Sequence, residues 1–125
     1  MNMIFAVAAG GALGATCRFL VGRMMMNLMG PGFPWGTFTV NILGSFLIGL
    51  LIEVLAIKFS ASQSVQGFLV IGVLGGFTTF SAFSLEVGLM IEKGELSSAA
   101  FYVFGSVLLG VAALFSGLYI GRAIV

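Results

Sequence analysis

The sequence has few charged residues and almost none of the side chains on which most enzymes and metal sites depend. Only 7% of its 125 residues are charged, histidine is absent, and Cys17 is the single cysteine. No disulfide can therefore form within the chain, and no cluster of histidine and cysteine ligands is available for a metal. In ordinary soluble domains about a quarter of the residues are charged, so this composition excludes an ordinary water-soluble fold and disfavours an enzyme.

Apolar residues are abundant instead, at 60% of the chain. A bilayer span needs about 20 mostly apolar residues. Four such stretches are predicted as transmembrane helices, at residues 3–26, 35–57, 65–92 and 98–124. Their connections are too short to hold a separate domain, so we predict one all-α membrane domain over residues 1–125. The first stretch could be read as a secretory signal, but no Lys or Arg precedes it and it exceeds a normal signal core.

The positive residues near the ends of the spans are balanced between the two membrane faces. One face receives Lys58 and Arg122, and the other receives Arg23 and Lys93, with Arg18 lying deeper. The positive-inside rule therefore selects no orientation. We predict that the chain inserts both ways and forms an antiparallel, dual-topology homodimer. The alternative is one topology set by the terminal charges or the N-terminal amine.

The first predicted helix carries one Arg within a stripe of small residues. Every fourth position along this stripe is small or Arg, as seen at Ala6, Gly10, Gly14, Arg18 and Gly22. Small residues let membrane helices approach closely, and Arg in hydrocarbon usually points into a bundle or a wet cavity. Arg18 is therefore a candidate source of positive potential for an anion, unless its side chain extends to the lipid headgroups.

Polar residues recur every fourth position on the second and fourth predicted helices. The two stripes are Thr37, Asn41 and Ser45, and Tyr102, Ser106 and Gly110. Such a stripe is either a set of interhelical hydrogen bonds or a pathway. A lone membrane Asn more often makes interhelical bonds, although the two amide N–H donors of Asn41 also suit a desolvated anion. For Ser106, a hydroxyl bonded to its own helix backbone is an equal alternative.

The third span contains glycine, β-branched and hydroxyl residues at its middle, which favours a broken helix at residues 75–80. Unwound backbone at that depth persists only where it is buried in protein or lines a cavity. Carbonyl groups released by the break can hold a hard cation, and the amides that begin the next half-helix favour an anion.

Two phenylalanines follow the break and are predicted to share one helix face. Phe80 and Phe83 are three residues apart, and most such pairs are simply packed in a core. An aromatic edge is electropositive, however, so a ring presented edge-on attracts a small anion. Ser81 and Ser84 add hydroxyl donors beside these rings, and the deep Glu86 needs a partner if it is ionised.

Two segments together resemble the Fluc (CrcB) family of fluoride channels. They are residues 36–41 (GTFTVN) and residues 75–86 (GGFTTFSAFSLE), and the likeness in length, span number and early Arg18 covers the full chain. The resemblance implies a multi-pass protein of the bacterial cytoplasmic membrane, with two fluoride pores per antiparallel dimer. Fluoride, lipid and a second copy are the implied partners, and no nucleic acid is expected.

The resemblance also implies roles for individual residues. Asn41, Phe80 and Phe83 would coordinate fluoride. Further pathway groups would be Thr37, Ser81, Ser84, Tyr102 and Ser106, with Arg18 near the aqueous vestibule. A sodium ion at the dimer axis would be held by the backbone carbonyls of Gly75 and Thr78. The chain departs from the family pattern at Ala82, often a Thr, and at Gly110, often a Ser, which leaves the polar track beyond the phenylalanines open.

Two other functions fit part of the pattern. A small four-span proton-coupled multidrug exporter has this size, but it relies on an acidic residue in its first helix, which is missing here. Glu53 or Glu86 would have to replace that residue. A non-transporting assembly subunit would use the small-residue faces only for packing.

Overall fold

The computed structural model describes residues 2–55 and 62–124, and its regular elements are all helical. The helices are α1 (Met3–Met29), α2 (Trp35–Glu53), α3 (residues 63–77), α4 (Ser81–Glu92) and α5 (Leu96–Ile124). Helices α3 and α4 together form one bent span. Within the described ranges, four stretches are long and apolar enough to cross a membrane. The prediction of an all-α membrane protein with four spans and a broken third helix is therefore confirmed.

Helix α3 is not uniformly α-helical. It begins with the turn Gln63–Gln66, continues as a π-helix over Gly67–Leu74, and ends with the α-helical turn Gly75–Phe77. The wider π-helical winding is rare and often occurs near functional sites. Here it is separated from the break between α3 and α4 only by the turn Gly75–Phe77.

The helix bounds differ from the predicted spans by a few residues, and a capping group accounts for two of the differences. Helix α1 continues to Met29 rather than ending at residue 26. Gly30 follows with a positive φ of 79°, and its N–H donates to the carbonyl of Met26 at 2.9 Å. The third span begins at Gln63 rather than residue 65, since the Ser62 hydroxyl accepts the N–H of Val65. The fourth begins at Leu96 rather than residue 98. The predicted end of the second span at residue 57 and the connecting Lys58 lie outside the described residues.

The break in the third span is shorter than the predicted residues 75–80. Gly75–Phe77 remain helical, because the N–H of Thr78 still donates to the carbonyl of Leu74 at 3.1 Å. The backbone becomes extended at Thr78, with φ −90° and ψ 162°, and α4 begins at Ser81. The glycine pair lowers helix propensity without removing these hydrogen bonds, so the break covers only residues 78–80.

Two pairs of helices touch through glycines. Helix α1 packs on α3, where a Cβ added at Gly72 would come within 2.8 Å of the Cα of Gly10. Helix α2 packs most extensively on α5, where a Cβ at Gly117 would lie 2.8 Å from the backbone nitrogen of Leu50. Ala6, Gly10 and Gly14 of the α1 stripe are buried, which confirms that this part of the stripe is a packing face.

An aromatic cluster joins the connection between α1 and α2 to α4 and α5. Its buried members are Phe38, Met90, Ala99 and Tyr102, and Phe33, Trp35, Ile42, Phe83 and Val87 pack against them. This cluster packs α4 against α5. It therefore positions the residues that follow the break on α4.

Candidate functional site

The break is held by the side-chain amide of Asn41 on α2. Its Nδ2 donates to the carbonyl oxygen of Thr79 at 3.0 Å, and its Oδ1 accepts the N–H of Thr79 at 2.8 Å. One side chain thus satisfies both backbone groups of a residue that has left the helix. The sequence allowed two roles for Asn41, interhelical bonding or anion binding, and the structure shows the first. Because Nδ2 carries two N–H donors and uses one for Thr79, the second N–H is still available.

Arg18 on α1 contacts the same break from the other side. Its Nε donates to the carbonyl of Gly76 at 3.0 Å. In a continuous helix that carbonyl would accept from Phe80, but the helix has ended. The side chain is half-buried and points into the helix bundle, and it does not extend to the lipid headgroups.

Two further carbonyls are released from the helical ladder. Gly75 would pair with the N–H of Thr79, which instead donates to Asn41. Thr78 would pair with the N–H of Ala82, which instead donates to the Thr79 hydroxyl at 3.2 Å. Gly75 and Thr78 are the two residues predicted to bind sodium, and both line one cavity. Neither carbonyl keeps its helical donor in the part of the chain that the structure describes, and carbonyl oxygens are the type of ligand that a hard cation requires.

This cavity has a volume of about 370 Å³ and lies beside the break. It is lined by Asn41, Gly44, Ser45, Ile48, Val70, Leu74, Gly75, Thr78, Thr79 and Phe80. Polar groups of the break therefore share the cavity with the first of the two predicted aromatic residues. The Ser45 hydroxyl is already engaged, because it donates to the carbonyl of Asn41 at 2.7 Å.

The two predicted phenylalanines are neighbours with different surroundings. Their ring centroids lie 5.8 Å apart and the rings are inclined at 44°. Phe80 is 79% exposed, whereas Phe83 packs against the aromatic cluster. The exposed ring leaves an aromatic surface beside the cavity that nothing in the described chain covers.

A second cavity, of about 480 Å³, adjoins the guanidinium groups of α1. It is lined by Arg18, Phe19, Gly22, Arg23, Met26, Asn27, Gly36 and Thr37. Two of the predicted pathway residues, Arg18 and Thr37, therefore meet here rather than in the first cavity. Neither arginine forms an ion pair with a carboxylate among the described residues, so the cavity is electropositive.

Glu86 is a residue of this region that was not among the predicted fluoride-pathway residues. Its two carboxylate oxygens accept hydrogen bonds from Thr37 at 3.0 Å and from Tyr102 at 2.8 Å. These bonds link α2, α4 and α5, and they supply the partner that a deep carboxylate needs. Thr37 and Tyr102 each belong to a polar stripe with four-residue spacing, which marked both as candidates for hydrogen bonding. That spacing could not reveal that both bond to one acceptor on a third helix.

The other predicted pathway residues are not gathered at one point. Tyr102 is fully buried, and its hydroxyl donates a hydrogen bond to Glu86. The Ser106 hydroxyl is buried and has no hydrogen-bond partner within the described residues. Ser81 and Ser84 are exposed on α4 and line neither of the two cavities described. In the described parts of the chain, no group of three or more His, Cys, Asp or Glu side chains could hold a metal.

A broken membrane helix with released carbonyls, a two-arginine cavity and a polar stripe defines a small ion-conducting membrane protein. The family described as CrcB-like protein, Camphor Resistance (CrcB) matches residues 5–118. The chain belongs to this family, and the resemblance noted in the sequence is confirmed.

Similar proteins come from several bacteria. A protein of Agrobacterium fabrum is 55% identical over 122 residues, covering 98% of each chain, and is named fluoride-specific ion channel FluC. Proteins with the same name from Rhizobium meliloti and Caulobacter vibrioides are 51% and 52% identical. The first of these two matches covers 100% of both chains, and the second covers 99% of this chain and 98% of its relative.

Proposed function

We propose that the protein is a fluoride channel that exports fluoride passively across the bacterial cytoplasmic membrane. The observation that carries this proposal is the 55% identity, over 98% of both chains, to a relative named fluoride-specific ion channel FluC. The protein is a multi-pass channel protein and not an enzyme. No described feature favours a proton-coupled exporter, since α1 has no acidic residue and Glu86 is occupied by two hydroxyl donors.

The chemistry of the break supports fluoride as the ion. Fluoride is small and strongly hydrated, so a pore has to replace its water with compact donors. The remaining amide N–H of Asn41, the edges of Phe80 and Phe83, and the hydroxyls of Ser81 and Ser84 are such donors. Arg18 raises the anion concentration in the cavity that it shares with Thr37.

A passive route is sufficient for export. Neutral hydrogen fluoride crosses lipid and dissociates inside the cell, where fluoride then accumulates. The negative interior drives an anion outward with about 2.3 kcal/mol per charge per 100 mV. No coupling ion or titrating carrier residue is therefore required.

The active form that we propose is an antiparallel homodimer. The support is a surface that a single copy leaves uncovered. Phe80 is 79% exposed on this surface, beside a cavity lined by polar residues of the break. Backbone polar groups that have lost their helical partners are unfavourable towards lipid, so the break needs a cover on this side. A second copy in the opposite orientation would cover this face and agree with the balanced positive charges.

Sodium is the proposed cofactor at the dimer axis. One copy offers the two released carbonyls of Gly75 and Thr78, so two copies offer four hard oxygen ligands. Bound there, the ion would neutralise the carbonyl dipoles that the break exposes. Replacing sodium with N-methylglucamine on both sides should lower dimer stability and fluoride flux. Unchanged stability and flux would remove the site from the proposal.

Fluoride efflux from liposomes that contain only the purified protein tests the function. With valinomycin and a potassium gradient setting the voltage, fluoride should leave rapidly while chloride is retained. Efflux that needs a proton gradient would support an exporter instead, and the absence of fluoride efflux would support a non-transporting subunit.

Cysteine labelling tests the dual topology. In a Cys17→Ser background, a single cysteine placed at Glu95 in the α4–α5 connection should react with an impermeant reagent in about half of the molecules. The other half should react only after the membrane is opened. Complete labelling, or none, from outside would contradict the antiparallel dimer.

A further inference from the structure

The connection between α1 and α2 is short and conformationally restricted around Phe33. Gly30 ends α1 at a positive φ of 79°, and prolines occupy positions 31 and 34. A proline disfavours the α-helical region for the residue before it, so the backbone of Phe33 has fewer accessible conformations. Its carbonyl also accepts the N–H of Trp35 at 2.8 Å. The ring of Phe33 is consequently directed from a stiff segment towards the helices.

From this connection a series of aromatic contacts leads to the break. Phe33 meets Tyr102 edge-on, with ring centroids 5.2 Å apart and planes at 77°. Tyr102 meets Phe83 at 4.9 Å, and Phe83 meets Phe80 at 5.8 Å. Each separation lies within the range in which aromatic pairs attract one another in preferred orientations. The connection is thereby in physical contact with the proposed fluoride-binding rings.

Tyr102 is the fixed middle of this series. It is fully buried, and its hydroxyl donates to Glu86 at 2.8 Å, so the ring is held at its tip as well as on its faces. Glu86 is in turn held by Thr37 at 3.0 Å. A ring restrained at both ends transmits the placement of one neighbour to the other.

Orientation matters because an aromatic ring has an electropositive edge and an electronegative face. A phenylalanine that binds fluoride with its edge would repel it if the ring turned about its axis. Phe83 has no polar atom to fix that rotation, so its packing neighbours must do so. The nearest described ring on the cluster side is Tyr102.

We propose that Phe33 is a positioning residue for fluoride conduction, acting through Tyr102 to fix the ring orientation of Phe83. The proposal rests on the proposed function and names a residue to which the sequence assigned no role in the pathway, although Phe33 lines a cavity of about 190 Å³ together with Thr37 and Glu86. Phe33 contacts neither the cavity at the break nor its polar groups. Substitution of Phe33 should therefore change fluoride conductance, and this change should depend on Tyr102.

Fluoride conductance of purified dimers in lipid bilayers tests this role with Phe33→Leu, which keeps an apolar side chain but removes the ring. We expect conductance to fall about three- to tenfold, as loss of one aromatic pair would allow. Phe33→Tyr keeps the ring and should stay within about twofold of the parent. Phe101→Leu is the matched control, because Phe101 also contacts Phe33, at 5.6 Å, without forming a ring pair with Tyr102.

The second arm repeats Phe33→Leu in a Tyr102→Leu background. If Phe33 acts through Tyr102, the double variant should conduct no worse than Tyr102→Leu alone, since coupled residues are not additive. Parent conductance in Phe33→Leu, or an equal further loss in the double variant, would overturn the proposal. Should Phe33→Leu not form dimers, Phe33→Met replaces it, and loss of dimer in both would assign Phe33 a purely structural role.

The parent protein separates the two hypotheses. A parent that passes no fluoride refutes the proposed function, and the positioning role with it. A conducting parent with an indifferent Phe33→Leu variant refutes only the positioning role.

Discussion

Replacing Asn41 with Leu should destabilise the protein by opening the break in its third span. Leu has nearly the same size but can neither donate to the carbonyl of Thr79 nor accept its N–H, which are now 3.0 and 2.8 Å from the amide. Both backbone groups would then be left unpaired at the depth of the membrane interior. The substitution therefore removes two hydrogen bonds without leaving a large cavity.

The magnitude follows from these two bonds. Side-chain hydrogen bonds inside membrane proteins contribute about 0.6 to 1.7 kcal/mol each, so the pair contributes about 1 to 3.5 kcal/mol. The upper half of that range applies, because Thr79 lies in extended backbone between two helices and cannot recover a helical partner.

Unfolding in mixed detergent micelles, titrated with SDS, measures this loss. Ser45→Ala is the control on the same helix, because its hydroxyl bonds only to the carbonyl of Asn41 one turn earlier. Its free energy of unfolding should change by less than about 0.5 kcal/mol. If Asn41→Leu is as stable as Ser45→Ala, the amide does not hold the break and our reading of this contact is wrong.

Four other substitutions probe the packing and the polar contacts by the same titration. Gly72→Val should cost about 1 to 3 kcal/mol by pushing α3 from α1, whereas Gly88→Ala, where a Cβ meets only open space, should not destabilise. Tyr102→Phe removes one of the two donors to Glu86 and should cost about 1 to 3 kcal/mol; no loss would mean that water replaces the hydroxyl. Arg122→Gln should change stability by less than about 1 kcal/mol, because this ion-paired side chain is 65% exposed, and a larger loss would contradict that assignment.

Span number and the broken third helix were predictable because hydropathy and glycine content are local properties of the chain. The limits of the break were not. Gly75 and Gly76 suggested unwinding from residue 75, but helix α3 persists until the N–H of Thr79 is taken by Asn41, which lies 38 positions earlier. Such a contact depends on how two helices pack, and no spacing within one helix reports it.

The same reasoning applies to the polar residues. Four-residue spacing singled out Thr37 and Tyr102 as interhelical or pathway residues, but their shared acceptor, Glu86, lies on a third helix. Arg18 was recognised as a bundle-facing candidate from the cost of charge in lipid. Its actual partner, the carbonyl of Gly76, becomes available only because the neighbouring helix ends.

The most direct test of the central claim is fluoride efflux through dimers in which the ring edges at the break are removed. Phe80→Ile and Phe83→Ile keep an apolar side chain, and Phe115→Ile on the exposed face of α5 is the control, since that ring is 62% exposed. We predict that the control matches the parent, while each variant forms dimers yet loses more than about tenfold of the fluoride flux. Parent flux in both variants would contradict a fluoride path along these rings.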